Sequence, residues 1–590
     1  MTTFGFHVLH ELVKVILKRR LFWPYWVTLT SVAAFRVAKS VRSSPASATP
    51  QAGAKSGRRR PLTAWTPSAV AAASLVAILF AAYVALSLKW QDFALPDDSI
   101  FTLGFLKGHD LGPQIWALQG RYFPLGYQEY NLIHHLASSF AGYQMLDILQ
   151  LLVVCGLILF LDEDLSLAAR ACIAGFAIVM PSVVCAFTGP VYPDRNVAFW
   201  LVGLLYSVKK FERTEAPRWA VLAVICAQFM IYYKETAFLI LLGFSAGRML
   251  IRGVRSGSDG WKFWRLRDKQ SRLDAWLALL AVLFVVSYFG FTFPHAGAGR
   301  WSKAYGFSTG QVVLNYLKID LLAWILVAAV LIRAFLIFRK KIAASPFWEA
   351  MAAGGTLCFA GYLKLGLVNA YYLAPVDLIA AMYLGRLAIL SWQRQGWAAR
   401  IGTASLLVIV LAQNVSLSAF RIYDRKNLTQ GKSAIASLIR ARYEEGGKEN
   451  PPRLFFPFAS PYSIMEFGAY LSYRGLPVRG VPGTHDGDGI VLAGRAIPRS
   501  GPCVDYRTVL CSSATRPEPG DVVVILPDDE ASRSEAAAYA DRGTRLLSFR
   551  PRPRLPHWLG PLLKQARSVS YSFERKKLPD RWLDASVTVW

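Results

Sequence analysis

Long uncharged apolar runs constrain the fold of this 590-residue chain more than any other feature. Residues 67–88, PSAVAAASLVAILFAAYVALSL, carry no charged side chain. A helix needs about 20 apolar residues to cross a hydrocarbon core of about 30 Å. Charged residues make up only 18% of the chain, against about 25% in soluble domains. These features exclude a purely soluble enzyme, a disordered chain and a fibrous protein, and they predict a polytopic α-helical membrane protein.

The apolar segments predict about 11 transmembrane helices. Basic residues collect in the cytoplasmic loops of membrane proteins. With eleven spans and a cytoplasmic N-terminus, the basic clusters at 58–60, 209–213, 252–272, 339–341 and 394–400 all fall on the cytoplasmic side. This agreement supports the predicted number of spans. The segments that follow the first span are 144–161, 168–187, 196–208, 218–232, 236–250, 273–292, 311–337, 347–367, 370–390 and 400–420.

Composition divides the chain into four predicted parts. Residues 1–42 are basic and amphipathic, which predicts an interfacial region lying on the membrane surface in two pieces. Residues 43–66 are rich in Ser, Ala, Gly and Pro and predict a disordered cytoplasmic linker. Residues 67–420 form the predicted transmembrane domain, with a long external loop at 89–143. Residues 421–590 alternate short apolar strands with helical stretches, which predicts a soluble α/β domain.

The net charge of +28 and the seven cysteines suggest no further chemistry. The basic loops of a membrane protein account for the charge, so no nucleic-acid partner is predicted. The cysteines show no metal-binding spacing, and no metal or other cofactor is predicted to be required. Cys503 and Cys511 lie in the predicted outer domain, where a disulfide between them stays an open alternative.

An acidic pair, Asp97 and Asp98, follows the first span by about ten residues. A carboxylate just outside the membrane is a candidate general base for an acceptor hydroxyl. The alternative is structural, since either aspartate is suited to cap a helix that starts at Ser99. The rest of the loop, to residue 143, has helical apolar spacing with Trp, Tyr and Phe interleaved, which suits helices in the membrane interface.

This combination resembles the GT-C glycosyltransferase superfamily, whose members include protein O-mannosyltransferases, aminoarabinose transferases and arabinofuranosyltransferases. The shared features are an acidic pair in a long first external loop, interfacial helices, about eleven spans and a C-terminal outer domain. The resemblance implies a polyprenyl-phosphate sugar as the donor. It also implies that Asp97 or Asp98 is the catalytic base.

Cations at the outer ends of the spans are candidate ligands for the donor phosphate. The leaving group of such a donor is a phosphate, and nearby cations stabilise its developing charge. The candidates are Arg195 in the turn GPVYPDRN, Lys234 in YYKE, and Arg300 and Lys303 in the loop PHAGAGRWSKAYG. The residues predicted to support them are Arg121, Glu129, Glu235, Tyr192 and His295.

Several of these patterns also have a purely structural interpretation. Lys234 and Glu235 are able to pair with each other, and the loop at 294–306 is alternatively an ordinary solvated loop. His134 and His135 are adjacent, and adjacent side chains on a helix point apart, so no joint metal site is predicted there.

The acidic run Asp162-Glu163-Asp164 resembles the Asp-x-Asp metal motif of nucleotide-sugar transferases. The predicted topology places this run in a short cytoplasmic turn before the third span. Acidic side chains at a helix N-terminus are stabilised by the helix dipole. No metal site is therefore predicted there.

The sequence thus predicts an inverting glycosyltransferase of the bacterial inner membrane. It would move a sugar from a polyprenyl-phosphate donor to a hydroxyl of a glycan, lipid or protein acceptor at the outer face, among membrane lipids. Its N-terminus would be cytoplasmic and its C-terminal domain periplasmic. The alternatives are an O-antigen ligase or polymerase and a membrane transporter or flippase, for which Asp377 is the relevant residue. The sugar, acceptor, carrier length and oligomeric state stay open.

Overall fold

A computed structural model of the chain describes most of its helical part and six strands of its C-terminal part. The predicted sites at His295, Arg300 and Lys303, the cysteines Cys503 and Cys511, and the predicted linker up to residue 65 lie outside the described residues. The described residues are 2–42, 66–94, 97–116, 120–255, 268–292, 308–394, 396–446, 452–456, 461–479, 490–494, 519–526, 544–549 and 585–589.

Two compact units divide the chain, and each is built from separate stretches of sequence. The first, here called the helical unit, consists of Met1–Tyr83, Gly112–Gln128 and Leu146–Ser418. The second, here called the sheet unit, consists of Val84–Leu111, Glu129–Met145 and Ala419–Trp590.

Helices account for most of the described residues, as the apolar runs predict. Each predicted span after the first falls on one helix or on two consecutive ones. The helices are α1 (Thr2–Arg42), α2 (Pro67–Trp90), α3 (Tyr130–Ile133), α4 (Phe140–Leu161), α5 (Leu167–Ile178), α6 (Pro181–Phe187), α7 (Asp194–Thr214), α8 (Pro217–Tyr233), α9 (Ala237–Arg255), α10 (Lys269–Phe291), α11 (Thr309–Ile319), α12 (Leu321–Phe338), α13 (Pro346–Leu365), α14 (Ala374–Arg394), α15 (Trp397–Gly446) and α16 (Pro461–Tyr473).

Among the described residues, six helices are long and apolar enough to cross a membrane, namely α2, α4, α10, α12, α14 and α15. The consecutive helices α5 and α6, bent by 68°, make a seventh if they count as one span. The multi-pass class is therefore supported, whereas the predicted number of eleven is not confirmed. The second half of α7 carries Lys209, Lys210, Glu212 and Arg213, and α8 has only 17 residues.

The N-terminal helix α1 runs without a break where the sequence predicts two separate pieces. Pro24 lies inside it and removes one backbone donor without ending the helix. Phe22, Trp26, Ala33 and Val37 are buried on one side of α1, and the helix contacts α8 and α10. Its predicted position on the membrane surface stays a prediction.

Glycines bring α9 and α13 into close contact within the helical unit. A Cβ atom added at Gly354 would lie 2.7 Å from the carbonyl oxygen of Ile240, and one at Gly243 would lie 2.7 Å from the Cα of Gly354. A Cβ at Gly247 would lie 3.1 Å from the Cβ of Ala350. Small residues at such positions let two helix backbones approach each other, which is a common way to pack helices in membranes.

The sheet unit contains a six-stranded mixed sheet in the order β4-β5-β3-β6-β8-β7. Strands β4, β5, β3 and β6 pair in parallel, with Leu454 opposite both Leu492 and Val522. Strand β8 pairs antiparallel with β6 and β7. The strands predicted from LFFPF, GIVLA and DVVVILP are therefore present. The strands are β3 (Arg453–Phe456), β4 (Val478–Arg479), β5 (Ile490–Gly494), β6 (Val522–Ile525), β7 (Thr544–Phe549) and β8 (Ala585–Val589).

Helix α16 holds the segment that follows α2 against the sheet unit's core. The backbone N–H of Ser99 donates to Glu466 Oε2 at 3.2 Å. The rings of Phe93 and Tyr473 lie 5.3 Å apart. Ala94 belongs to the same buried apolar cluster as Leu454 of β3. The loop segments 84–111 and 129–145 thus belong with the C-terminal residues, whereas the sequence predicts that they belong to the transmembrane domain.

We expect Gly354→Ala to destabilise the helical unit, because its new methyl group would overlap the backbone of α9. Overpacking of this kind costs about 1–3 kcal/mol. Thermal unfolding of the purified protein in detergent measures the effect. The matched control is Gly156→Ala in α4, where an added Cβ has no atom within 4 Å. Equal unfolding temperatures for the two variants would contradict the close contact.

Candidate functional site

A buried ion pair lies at the junction between α8 and α9. Lys234 ends α8 in an extended conformation, and its Nζ donates to Asp194 Oδ2 at 3.0 Å. Asp194 is the first residue of α7, where the helix dipole favours a carboxylate. Both residues are buried. Lys234 Nζ also lies 4.3 Å from the ring centre of Tyr372, which adds a cation–π contact.

A second ion pair joins Arg121 to Glu235, the residue after Lys234. Arg121 lies on a short hairpin formed by β1 (Ile115–Trp116) and β2 (Arg121–Tyr122). Tyr288 Oη donates to the carbonyl oxygen of Gly120 at 3.1 Å, which ties the hairpin to α10. Burial acts to lower the pKa of Arg121, but attraction by Glu235, the hydrogen bond to Glu235 and the nearby Tyr372 and Tyr371 together outweigh it and raise that pKa. Arg121 is therefore a permanent cation.

Three residues of these pairs, Arg121, Lys234 and Glu235, line one cavity of about 330 Å³. This volume is near the lower end of the range of about 300–1,000 Å³ for ligand pockets. Phe289 and Leu365, at the apolar side, are 48% and 40% exposed, so the apolar wall continues to the surface. The polar lining is Arg121, Lys234, Glu235, Thr236 and Tyr372, and the apolar lining is Phe238, Leu239, Phe284, Val285, Tyr288, Phe289, Leu365 and Leu367, with Gly120.

This lining suits an amphipathic anion. Cationic side chains bind phosphate through short charge-assisted hydrogen bonds, and arginine does so with planar, bidentate geometry. An apolar chain attached to the anion would lie along the phenylalanine and leucine side chains toward Phe289. The two carboxylates, Asp194 and Glu235, balance the two cations, so the site carries no large net charge.

The structure gives Arg195 a different role from the predicted phosphate ligand. Its side chain is fully buried, and its Nε lies 2.7 Å from Asp147 Oδ1 and 3.0 Å from Gln150 Oε1. Its Nη1 donates to the carbonyl oxygens of Pro190 and Tyr192. Arg195 does not line the cavity described above. It therefore holds the turn before α7 against α4, and its predicted role as a ligand of the donor phosphate stays a prediction.

The other predicted residues of the helical unit lie close to the cavity. The proposed alternative pair between Lys234 and Glu235 is not observed, because each side chain bonds a different partner. Tyr192 stacks on Tyr371, with ring centres 4.2 Å apart, and Lys234 Nζ lies 5.7 Å from the Tyr371 ring. Tyr192 thus belongs to the aromatic wall around Lys234.

Asp97, Asp98 and Glu129 belong to the sheet unit. Asp97 has a left-handed backbone with φ of 71°, a conformation that Asp tolerates better than most residues. Asp98 is 1% exposed. The short helical segment that follows begins at Ile100 and has Ser99 as its N-cap residue, so neither aspartate occupies the capping position. Glu129 occupies the N-cap position of α3 without a side-chain capping bond. The predicted base role stays a prediction.

The acidic run at 162–164 is engaged in ion pairs. Glu163 Oε1 accepts from Lys210 Nζ at 2.7 Å, and Asp162 Oδ2 accepts from Arg386 Nε at 2.8 Å. The bond from Lys210 lowers the pKa of Glu163. These contacts account for the run as a structural feature that ties the turn before α5 to α7 and α14.

Sequence reasoning missed three residues of the site: Asp194, Tyr371 and Tyr372. Asp194 directly precedes Arg195 in the turn GPVYPDRN. The sequence therefore points to this turn, but the predicted site residue in it is Arg195 and not Asp194. The tyrosines follow Asn369 and open the predicted span at 370–390. The sequence places them where tyrosines commonly lie in membrane proteins, at the membrane interface.

Comparison with known proteins finds similar solved structures but no matching family model or curated protein. No family model matches the chain, and no curated protein matches it. Among solved structures, the chain is similar to ArnT from Cupriavidus metallidurans bound to undecaprenyl phosphate. The identity is 13%, the match covers 87% of this chain and 97% of that one, and the TM-score is 0.41.

A second similar structure is the Archaeoglobus fulgidus oligosaccharyltransferase in complex with zinc and sulfate. Here the identity is 11%, the match covers 67% of this chain and 61% of that one, and the TM-score is 0.36. Similarity at this level does not assign the chain to a family.

We expect Lys234→Met to destabilise the protein, because it leaves the buried Asp194 carboxylate without its cation. Removing one partner of a buried pair costs about 3–5 kcal/mol. The double variant Asp194→Asn/Lys234→Met should recover most of this loss, since no buried charge remains. Unfolding in denaturant measures both. The control is Arg442→Met, which removes an exposed pair with Glu445 and should cost less than about 1 kcal/mol. A double variant as unstable as Lys234→Met would contradict the pairing.

Proposed function

We propose that this chain is an inverting membrane glycosyltransferase that takes its sugar from a polyprenyl-phosphate donor. The observation that carries the proposal is the cavity in the helical unit. Its lining combines two cations, Arg121 and Lys234, with an apolar wall that reaches the surface at Phe289. A lipid phosphate combines the same two characters, an anionic group and an apolar chain.

The resemblance of the sequence to GT-C enzymes supports the reaction type. In such a transfer the acceptor hydroxyl gives its proton to a carboxylate, and its oxygen forms a bond to the anomeric carbon of the sugar. The bond between that carbon and the phosphate oxygen breaks, and the lipid phosphate leaves with the electron pair. The anomeric configuration inverts because the attack and the departure occur on opposite faces.

The residues divide these tasks. Asp97 or Asp98 is the proposed acceptor of the proton, the role of a general base. Arg121 and Lys234 are proposed to stabilise the charge that develops on the leaving phosphate. We further propose that the transfer occurs at the outer face of the bacterial inner membrane, with a glycan, lipid or protein as acceptor and a soluble, periplasmic sheet domain.

The local charge balance supports a lipid monophosphate as the donor. Asp194 and Glu235 neutralise the two cations in the absence of a ligand, so the cavity does not attract anions strongly by net charge. Binding energy must then come in part from burial of the apolar chain, at about 25 cal/mol per Å² of apolar surface. A water-soluble nucleotide sugar has no such chain.

We expect Asp98→Asn or Asp97→Asn to abolish sugar transfer, because an amide does not accept the proton of the hydroxyl. A radiolabelled polyprenyl-phosphate sugar and membrane extract as acceptor source provide the assay. The matched control is Asp164→Asn, which neutralises an aspartate whose side chain is 68% exposed and should retain activity. Full activity in both loop variants would exclude the acidic pair as the base.

We expect Arg121→Gln to weaken binding of polyprenyl phosphate by about tenfold or more. Hydrogen bonds to charged groups contribute about 1.5–3 kcal/mol. Glu235→Gln should have the opposite effect, because it removes the carboxylate that competes for Arg121. Binding to protein in nanodiscs measures both changes. Lys318→Gln, at an exposed lysine in α11, is the control with the same loss of charge. Equal affinities for the Arg121 and Lys318 variants would remove the cavity from the proposal.

One observation favours a second function, a membrane transporter. Asp320 and Asp377 are both buried in the helical unit. Ser182 Oγ donates to Asp377. Buried ionisable groups within a membrane often belong to ion or proton pathways. Movement of lipid phosphate across proteoliposomes without any sugar transfer would favour this function over the transferase.

A further inference from the structure

We infer that Asp110, His134 and His135 form a binding site for one divalent metal ion of the zinc type. One ligand atom from each side chain lies within 4.8 Å of the other two. All three residues belong to the sheet unit. The site includes neither Asp97 nor Asp98, and it does not rest on the proposed transferase activity.

The two histidine rings lie together at the C-terminal end of α3. Helix α3 ends at Ile133, and His134 is its C-cap residue. The imidazole rings lie with their centres 3.9 Å apart and their planes 40° from each other. The prediction that these histidines point apart is therefore wrong.

The first two ligands are already in contact. His134 Nε2 lies 2.8 Å from Asp110 Oδ1. The His134 side chain is only 3% exposed, and its ring packs beside Phe105 at 6.0 Å. The Asp110 side chain is 65% exposed. One ligand is thus held by packing, while the other two are able to adjust.

Only small movements would complete the site. Two ligands at about 2.0–2.1 Å from a tetrahedral zinc ion are about 3.3 Å apart. Asp110 and His134 are slightly closer than this, and no separation in the group exceeds it by more than about 1.5 Å. Rotation of the exposed Asp110 and His135 side chains covers that distance without moving the backbone.

The backbone around the site is fixed independently of any metal. The side-chain amide of Asn131 donates to the carbonyl oxygen of Leu111 at 2.9 Å, and its oxygen accepts from the backbone N–H of Leu111 at 2.9 Å. These two bonds hold the residue after Asp110 against α3. Ordering the ligands therefore costs little entropy on binding, since the segments are already joined.

Two imidazoles and one carboxylate are ligands that zinc and neighbouring first-row metals prefer. Because two of the ligands are exposed, water would complete the coordination shell. The ion would link positions 24 residues apart and would act as a cross-link within the first external loop. Closing such a loop stabilises the folded state by restricting the unfolded chain.

The test uses the full-length protein in detergent after treatment with a chelator. Zinc is added, unbound metal is removed by gel filtration, and the bound metal is counted by mass spectrometry. We expect about one zinc ion per chain, and a loss of affinity greater than about 100-fold in Asp110→Asn and in His135→Ala. That loss exceeds the 10–100-fold effect typical of residues outside the coordination shell.

His109→Ala is the matched control, because His109 is an exposed neighbour of Asp110 that is not part of the group. Its zinc content should equal that of the unmodified protein. Zinc should also raise the unfolding temperature of the unmodified protein and of His109→Ala but not of Asp110→Asn, as binding to the folded state alone requires. Asp110 and His135 are exposed, so their variants keep the test valid even if the buried His134 does not tolerate substitution. Equal zinc content in Asp110→Asn, His135→Ala and the unmodified protein would overturn the site.

Discussion

The helical unit depends on the pairing of the charged side chains that are buried in its apolar interior. Asp147–Arg195, Asp194–Lys234 and Arg248–Asp274 are ion pairs in which each side chain is at most 5% exposed. A buried charge without a partner costs several kcal/mol, so each pair fixes which helices must be neighbours. The first joins α4 to α7, the second joins α7 to the end of α8, and the third joins α9 to α10.

The same requirement explains why the candidate site lies where it does. Lys234 and Glu235 interrupt the chain between α8 and α9, and each side chain finds its partner on a different element. The cavity beside this interruption is lined by both charged and aromatic side chains. Under the proposed function, structural charge pairing and ligand recognition would be two uses of one group of side chains.

Sequence periodicity located the helices well, because apolar runs of this length have few other solutions. It also identified Arg121, Lys234 and Glu235, whose charges stand out beside apolar spans. It could not assign partners: Asp147 lies far from Arg195 in sequence, and only the packing of α4 on α7 shows that Arg195 is occupied. The histidine prediction failed because the rings of His134 and His135 lie together, a side-chain arrangement that helical spacing alone does not predict. The predicted number of spans is not confirmed, because some helices carry charged residues that pair with one another inside the helical unit.

The sheet unit has a consequence for how the protein is made. Its core joins residues near Ala94, which are synthesised early, to β3, α16 and β6, which are synthesised late. During translation, the acidic-pair segment therefore waits for more than half of the chain before its C-terminal packing partners exist. Phe93 and Leu103 stay without those C-terminal neighbours during that interval. A ribosome that stops before α16 would release a chain with a set of membrane helices but an unfinished first loop.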